Sequence, residues 1–202
     1  MTTPPLKLQR DLDQKHLDGC YEDHYYDYLC TTYDAPLQAA AILLNNITGN
    51  GDGGHVLDVG CGQGQLCKFL KKERRYYGFD ASSVAVGRAR ADYEEGERRF
   101  EVGRIESHSV NERFEAIMFG NVLHCIVAFE DHIKFLNTYI NLYHPHHFVL
   151  YELQRFDPRI VKEQPGWTCV YERDFYVDDP KVNKTKRERR VMLFEVKYQG
   201  AA

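Results

Sequence analysis

The sequence lacks the features that mark a disulfide-rich, zinc-binding or membrane protein. Its six cysteines form no CxxC pair and no metal-ligand spacing, which excludes a small disulfide framework and indicates free thiols in a reducing compartment. The longest apolar run, residues 39–44, is far too short to cross a membrane, and residues 1–10 do not resemble a signal peptide. We therefore expect a cytoplasmic protein with no bound metal and no membrane partner.

The sequence also lacks a large excess of either charge. Lys and Arg number 26 against 30 Asp and Glu, a net charge of -4, whereas proteins dedicated to nucleic acid are usually basic overall. Nucleic acid is therefore disfavoured as a partner, although a basic run at residues 181–190 leaves an RNA contact open. A length of 202 residues with 13% aromatic residues predicts one globular domain with a sizeable core.

Short apolar runs alternate with helical patterns through the middle of the chain. A buried parallel strand is predicted at residues 55–59 and further strands at 76–79, 100–102, 114–119 and 147–151, with helices at 64–74, from 82 onward and at 131–142. Another helix is expected to begin at Pro36, whereas Pro4 and Pro5 discourage an earlier one. Ser82 or Asp80 is the expected N-cap of the helix from 82. This alternation predicts an α/β, doubly wound sheet with helices on both faces.

The C-terminal part departs from the alternation. Residues 167–177 and 190–197 are β-rich runs joined by a charged loop at 178–189, which predicts an antiparallel hairpin at the edge of the sheet. With the five strands before it, this hairpin completes a seven-stranded, mostly parallel sheet.

The most informative segment joins the first predicted strand to the helix after it. Gly60, Gly62 and Gly64 stand there at alternate positions, and glycines let the backbone turn sharply and let a ligand lie against bare peptide. In an open α/β sheet, ligands bind in the crevice at the carboxyl ends of the strands. Asp80 ends the second strand, where a carboxylate can accept hydrogen bonds from two ribose hydroxyls. Together these features indicate an adenosine-containing cofactor.

The spacing of the glycines separates two classes of cofactor. Dinucleotide enzymes use GxGxxG, whereas this sequence has GxGxG. Residues 56–64 (VLDVGCGQG) resemble motif I of the class I S-adenosylmethionine-dependent methyltransferases, and residues 76–82 (YYGFDAS) resemble their motif II. The resemblance runs from about residue 55 to residue 152, and the tail is similar to the family's reversed final hairpin. It implies a Rossmann-like methyltransferase fold with S-adenosyl-L-methionine as cofactor.

The resemblance also implies roles for single residues at the cofactor. Asp58 would lie close to the amino group of the cofactor, and Asp80 would accept the ribose hydroxyls. Arg104 stands where the family often has an acid that binds the adenine amino group, so Glu106 or the backbone of Ile105 would take that role. The full set of expected cofactor-binding residues is Asp58, Gly60, Cys61, Gly62, Gly64, Asp80, Ala81, Arg104, Ile105, Glu106, Gly120 and Asn121.

Catalytic candidates are expected after the fourth and fifth strands. A general base is needed only if the acceptor loses a proton early, and His124 is the first choice for it, with Glu152 the second. A packing role is the alternative for His124. For Glu152 the alternative is a solvated acid or one paired with Arg155.

The tyrosine-rich segment 21–33 is a candidate lid, because aromatic faces can hold a sulfonium or an aromatic acceptor. Packing of an N-terminal helix on the domain is the alternative. The lid residues expected to reach the substrate are Tyr21, Tyr25 and Tyr26. We expect a single methyltransferase domain over residues 1–202, made of an N-terminal lid or helical segment (1–48), a cofactor-binding core (55–153) and the C-terminal hairpin (165–198).

The expected function is transfer of a methyl group to an oxygen or nitrogen of a small molecule by in-line displacement. Alternatives are an RNA-modifying enzyme or RNA-binding module that uses loop 181–190, a nicotinamide-dependent reductase, and a cofactor-binding protein without catalysis. Two other clusters receive no function. We interpret His144, His146 and His147 as a surface turn and not a metal site, and Cys61 and Cys67 as small buried hydrophobes.

Overall fold

The structure is a computed structural model. It describes residues 14–22, 34–47, 54–123, 126, 129–153, 157–178 and 186–198. In chain order its helices and strands are α1 (Gln14–Glu22), α2 (Asp34–Ile47), β1 (Val56–Val59), a 3₁₀ helix (Gln65–Lys68), β2 (Tyr76–Asp80), α3 (Ser83–Tyr93), β3 (Arg98–Val102), β4 (Ala116–Gly120), α4 (Phe129–Tyr143), β5 (His147–Leu153), α5 (Pro158–Lys162), β6 (Trp167–Asp178) and β7 (Lys186–Val196).

All seven strands form one sheet in the order β3-β2-β1-β4-β5-β7-β6. The first five strands run parallel, while β7 pairs antiparallel with both β5 and β6. The last strand in the sequence is therefore inserted between β5 and the edge strand β6. This arrangement confirms the predicted doubly wound sheet with an antiparallel C-terminal hairpin.

Helices cover both faces of the sheet. On one face α2 packs against β5 and β7 and α3 against β2 and β3, both contact the 3₁₀ helix, and the buried residues there include Ala40, Leu44 and Val86. On the other face α4 and α5 cover a larger aromatic cluster. At its centre Phe119 of β4 meets Phe135 of α4 edge-on, with ring centroids 5.7 Å apart. The strand order and this two-sided cover bring the carboxyl ends of β1, β2, β4 and β5 to one edge of the molecule.

The helix predicted over residues 64–74 is wrong in length, because only a single 3₁₀ turn forms there. Two arginines explain why the chain leaves the helix early. Arg98 donates to the carbonyl oxygens of Cys67, Leu70 and Lys71, which a longer helix would have used for its own hydrogen bonds. The Arg74 guanidinium in turn holds the following turn against α2 and residue 54.

One short helix, α5, lies where none was expected, whereas α1 falls in the segment 1–48 that was expected to be a lid or helical. The helix α1 begins well after the Pro4–Pro5 pair, so those prolines do not prevent it. The helix α5 has Pro158 in its first turn, and the Asp157 side chain accepts a hydrogen bond from the Arg159 amide. The charged loop predicted at residues 178–189 is shorter than expected because β7 begins at Lys186, and residues 179–185 lie outside the described residues. Among the helices that the structure describes, none is long and apolar enough to cross a membrane.

Candidate active site

The glycine-rich turn after β1 has the backbone shape that its sequence indicates. Gly60, Gly62 and Gly64 all have positive φ angles, of 73°, 55° and 75°, which favour glycine strongly. Neighbouring side chains also leave little room for a side chain at these positions. A Cβ on Gly60 would lie 2.4 Å from the Val122 side chain, and one on Gly62 would lie 3.1 Å from the Tyr21 hydroxyl. The turn therefore needs glycine at these positions and presents bare backbone.

Asp80 is bound directly to this turn. Its Oδ2 accepts a hydrogen bond of 3.0 Å from the Gly62 amide, and its Oδ1 accepts one of 2.9 Å from the Ser82 amide. Burial raises the pKa of the Asp80 carboxyl, while the hydrogen bonds from Ser82 and Gly62 oppose that rise. Of the two residues considered as the N-cap of α3, Ser82 fills the position, because its hydroxyl accepts a hydrogen bond from the Ala85 amide at 3.2 Å.

Asp58 lies below the turn, in the last part of β1. Its side chain is 4% exposed, and its Oδ2 accepts a hydrogen bond of 2.7 Å from the Tyr76 hydroxyl. Burial raises the pKa of Asp58 to about 7, against the effect of the Tyr76 hydrogen bond. Burial also raises the pKa of the neighbouring Cys61 thiol, which keeps it neutral and agrees with its interpretation as a small buried hydrophobe.

The helix α1 is fixed at the same edge of the sheet through Asp18. This carboxylate accepts hydrogen bonds from the Ser82 hydroxyl (2.6 Å), the Ser83 hydroxyl (2.9 Å) and the Val84 amide (3.2 Å), all at the N-terminus of α3. Tyr21, one turn further along α1, is buried. Sequence reasoning missed Asp18, since nothing local connects it with a helix that begins more than sixty residues later.

Of the three predicted lid tyrosines, the structure places one. Tyr21 reaches the glycine turn, with its hydroxyl beside Gly62. Tyr25 and Tyr26 lie outside the described residues.

The segment after β3 runs alongside Asp80, because the Gly103 amide donates to the Asp80 carbonyl oxygen at 2.9 Å. Arg104, whose position the family often gives to an acid, forms a 2.9 Å ion pair with Glu106. The Ile105 carbonyl accepts a hydrogen bond of 3.0 Å from the Tyr139 hydroxyl of α4. These residues are thus brought close to the end of β2, with Arg104 and Glu106 bonded to each other. Ala81 directly follows Asp80 and is partly exposed.

The loop after β4 is tied to β5 by two hydrogen bonds. The backbone N–H of Asn121, a residue with a φ of 55°, donates a hydrogen bond of 2.6 Å to the Tyr151 carbonyl oxygen. The Leu123 amide donates to Glu152 Oε1 at 2.8 Å. Glu152 is 1% exposed, so the alternative of a solvated acid is wrong. Gly120 ends β4 beside this loop, while His124 and Arg155 lie outside the described residues.

The histidines before β5 stand apart from this site, at the opposite end of the strands. His144 has a φ of 48° and follows α4, and both it and His146 are exposed, as expected of a surface turn. The described residues contain no group of three His, Cys, Asp or Glu side chains placed to hold a metal ion.

Comparison with known proteins agrees with the geometry. Residues 56–146 match a family model described as a methyltransferase domain. Comparison with curated proteins gives no match. Many solved structures share the fold, at identities low enough that they speak for the fold alone.

Three of these structures illustrate the likeness. A TehB-like SAM-dependent methyltransferase from Corynebacterium glutamicum is 19% identical, with a TM-score of 0.63 over 91% of this chain and 100% of its own. Magnesium protoporphyrin IX methyltransferase from Synechocystis, with bound SAM, is 15% identical, with a TM-score of 0.63 over 96% and 100%. A protein from Pyrococcus horikoshii proposed to be an RNA methyltransferase is 14% identical, with a TM-score of 0.60 over 80% and 82%. Residues 56–146 thus form a methyltransferase domain, and the strand order and the glycine turn joined to Asp80 support its assignment to the class I S-adenosylmethionine-dependent methyltransferases.

Proposed function

We propose that this methyltransferase transfers a methyl group to an oxygen or nitrogen of a small molecule, at the edge formed by the carboxyl ends of β1, β2, β4 and β5. The observation that carries the site is the 3.0 Å hydrogen bond between Asp80 and Gly62, which joins a carboxylate to a turn of bare backbone. A side chain at Gly60 would meet Val122 and one at Gly62 would meet the Tyr21 hydroxyl, so glycine at these positions preserves the close packing of the turn.

The chain's residues suit S-adenosylmethionine at each of its parts. Asp80 would hold the ribose hydroxyls, the glycine turn would lie along the methionine and ribose, and Asp58 would face the amino group. Ala81 and the segment after β3 would border the adenine. The loop after β4 would border the sulfonium through Gly120 and Asn121.

Bound S-adenosylmethionine supplies a methyl group that is already electrophilic, because it is attached to a sulfonium. The protein's task is to place the acceptor in line behind that methyl group and to exclude water. The acceptor atom forms the new bond to carbon while the carbon–sulfur bond breaks and its electron pair stays on sulfur. An acceptor hydroxyl or amine also loses a proton to a base.

Two residues remain candidates for that base. His124 directly follows the loop that Leu123 joins to Glu152, and a His124→Ala variant should keep cofactor affinity and lose turnover. Unchanged turnover in this variant would remove His124 from the catalytic residues. Glu152 already binds a backbone amide through one oxygen, which supports a role in holding the loop as much as one in proton transfer.

We propose that α1 forms part of a lid. Asp18 holds the helix at the N-terminus of α3, and Tyr21 lies over the glycine turn where it would contact bound donor. The remaining tyrosines of segment 21–33 lie outside the described residues, and their part in the lid stays a prediction.

A small acceptor is supported by the net charge of -4, which disfavours a nucleic-acid surface. RNA is the second candidate, since a similar fold is found in the Pyrococcus horikoshii protein proposed to act on RNA and since residues 181–190 are basic. Binding measured at rising salt separates them, because an RNA contact weakens steeply as salt is added. No RNA binding at low salt would exclude the second candidate.

Calorimetric titration tests the cofactor site. The protein is titrated with S-adenosylmethionine, its demethylated product S-adenosylhomocysteine and the two nicotinamide cofactors. We expect tight binding of S-adenosylhomocysteine that Asp80→Ala abolishes, and binding of a nicotinamide cofactor alone would overturn the proposal. Methylated product formed from labelled donor, with a panel of small hydroxyl and amine acceptors, then separates an enzyme from a protein that only binds the cofactor.

A further inference from the structure

The Tyr76 hydroxyl and the Asp58 carboxylate form a buried pair between neighbouring strands. Tyr76 is 0% exposed and Asp58 is 4% exposed, and the hydroxyl donates to Oδ2 at 2.7 Å. The residue of β2 in register with Asp58 is Gly78, two positions after Tyr76, so the Tyr76 side chain has to reach along its own strand.

Gly78 makes this reach possible. A Cβ at Gly78 would lie 2.8 Å from both Tyr76 Cε1 and the Tyr76 hydroxyl oxygen. The missing side chain therefore leaves a notch across which the tyrosine ring lies. Phe100 supports the ring from β3, with ring centroids 5.3 Å apart. The ring of Tyr76 is thus held by the space at Gly78 and by Phe100, so the pair with Asp58 is a built feature of the sheet interior and not a chance surface contact.

The surroundings of Asp58 are otherwise unfavourable for a negative charge. Burial raises its pKa to about 7, and the charge of Asp80 acts in the same direction. The other titratable groups near it are the thiols of Cys61 and Cys67, whose pKa values are also raised, so they are neutral. Within the described residues no salt bridge reaches Asp58, which leaves the Tyr76 hydroxyl as the group that favours its ionised form.

We propose that Tyr76 is a positioning residue for the amino-acid end of the methyl donor, because its hydroxyl occupies Oδ2 of Asp58 and leaves Oδ1 to meet the donor's ammonium group. This inference rests on the proposed donor site. It assigns a role to Tyr76 and Gly78 in motif II that differs from the ribose role of Asp80.

The test measures binding of S-adenosylhomocysteine to Tyr76→Phe by calorimetry between pH 5.5 and 9. Binding strengthens as Asp58 ionises, so without the hydroxyl the rise should move to higher pH by about one unit, and affinity should fall about fivefold at pH 7 and about tenfold at pH 5.5. The ligand 5′-methylthioadenosine has the same adenine and ribose but no amino-acid part. Its affinity should be the same in the variant and the wild type.

Tyr77→Phe is the matched control. Tyr77 is also buried, but its hydroxyl pairs with His108 at 2.9 Å on the other face of the sheet, so its removal should leave the pH profile in place. Gly78→Ala displaces the Tyr76 ring while keeping its hydroxyl, and should move the profile in the same direction as Tyr76→Phe. Its Cβ would also lie 2.9 Å from Cys61 Cβ in the glycine turn, so the direction of the pH shift, and not the size of the affinity loss, is compared with Tyr76→Phe.

Two results would overturn the inference while the donor site stands: an unchanged pH profile in Tyr76→Phe, or an equal loss of affinity for 5′-methylthioadenosine. Failure of the wild-type protein to bind S-adenosylhomocysteine at any pH would instead overturn the proposed function, and this inference with it.

Discussion

The Gly62 amide donates a hydrogen bond to the Asp80 carboxylate at 3.0 Å, although eighteen positions separate the two residues. This bond holds the glycine turn after β1 against the end of β2. It also means that Asp80 helps to shape the turn as well as offering oxygen atoms to a ligand. A change at Asp80 should therefore affect both the loop and the donor.

Asp80→Asn tests this double role. The amide cannot offer two equivalent charged oxygens, so we expect affinity for S-adenosylhomocysteine to fall roughly 10- to 100-fold, since each hydrogen bond to a charged group contributes about 1.5–3 kcal/mol. Calorimetry gives the affinity. Asp92→Asn, in the exposed part of α3, is the control and should bind as the wild type does. Full affinity in Asp80→Asn would contradict the assignment.

Two substitutions at Glu152 distinguish a role in positioning the loop from a role as general base. Glu152→Gln keeps an oxygen that can accept the hydrogen bond from the Leu123 amide, so a positioning role predicts that most of the turnover remains. Glu152→Ala leaves that buried amide without a partner and should cost about 1–3 kcal/mol in the free energy of unfolding, together with turnover. Steady-state kinetics and urea denaturation measure the two effects. Loss of turnover in Glu152→Gln with intact stability and cofactor affinity would instead show proton transfer.

Asp18→Ala removes the three hydrogen bonds that fix α1 at the N-terminus of α3. We expect S-adenosylhomocysteine to dissociate about five- to tenfold faster, because the cover over the glycine turn is loosened. Surface plasmon resonance measures the dissociation rate. Glu22→Gln changes an exposed acid on the same helix and should leave the rate unchanged. Equal rates in Asp18→Ala and the wild type would show that α1 does not cover the ligand.

His55 predicts a stability that depends on pH. Burial, and after it the charge of Arg75, lowers the pKa of His55 to about 4 from the ordinary value of 6.5. In the unfolded chain His55 becomes protonated below about pH 6.5, whereas in the folded chain it stays neutral down to about pH 4. The stability of the folded state that depends on neutral His55 is therefore lost as the pH falls from 6.5 to 4. When the pH is lowered from 7 to 4.5, the free energy of unfolding measured with urea should fall by about 2 kcal/mol less in His55→Gln than in the wild type. His144→Gln, on the exposed turn, is the control and should lose as much stability as the wild type. If His55→Gln also loses as much as the wild type, the prediction is contradicted.

The sequence allowed the sheet to be predicted because its evidence is local. The parallel strands β1, β2, β4 and β5 are short, mainly apolar runs ended by glycine or a polar residue, and the turn after β1 is marked by Gly60, Gly62 and Gly64. The same kind of local pattern limited the N-cap of α3 to Ser82 or Asp80, and the structure has Ser82 there.

Three of the errors and omissions share a different origin, since each depends on a contact between distant residues. The helix expected over 64–74 ends early because Arg98 of β3 takes its carbonyl groups. Asp18 accepts a hydrogen bond from Ser82, which lies 64 positions later in the sequence. Tyr76 donates to Asp58 on the neighbouring strand, and the pairing register of two strands cannot be predicted from hydrophobic periodicity. Residue pattern predicts which side chains are buried but not which buried polar groups meet.

The strand order leaves β6 at the outer edge of the sheet, with twelve residues whose free side has no strand beside it in the described chain. An edge of this length invites another molecule to add a strand to it, which is a common route to aggregation. Glu172, Arg173 and Asp174 place alternating charges along that edge, and Val170 and Tyr176 are the large hydrophobic side chains exposed beside them. The charges discourage such pairing, and substitutions that neutralise them should reduce the solubility of the protein before they affect its chemistry.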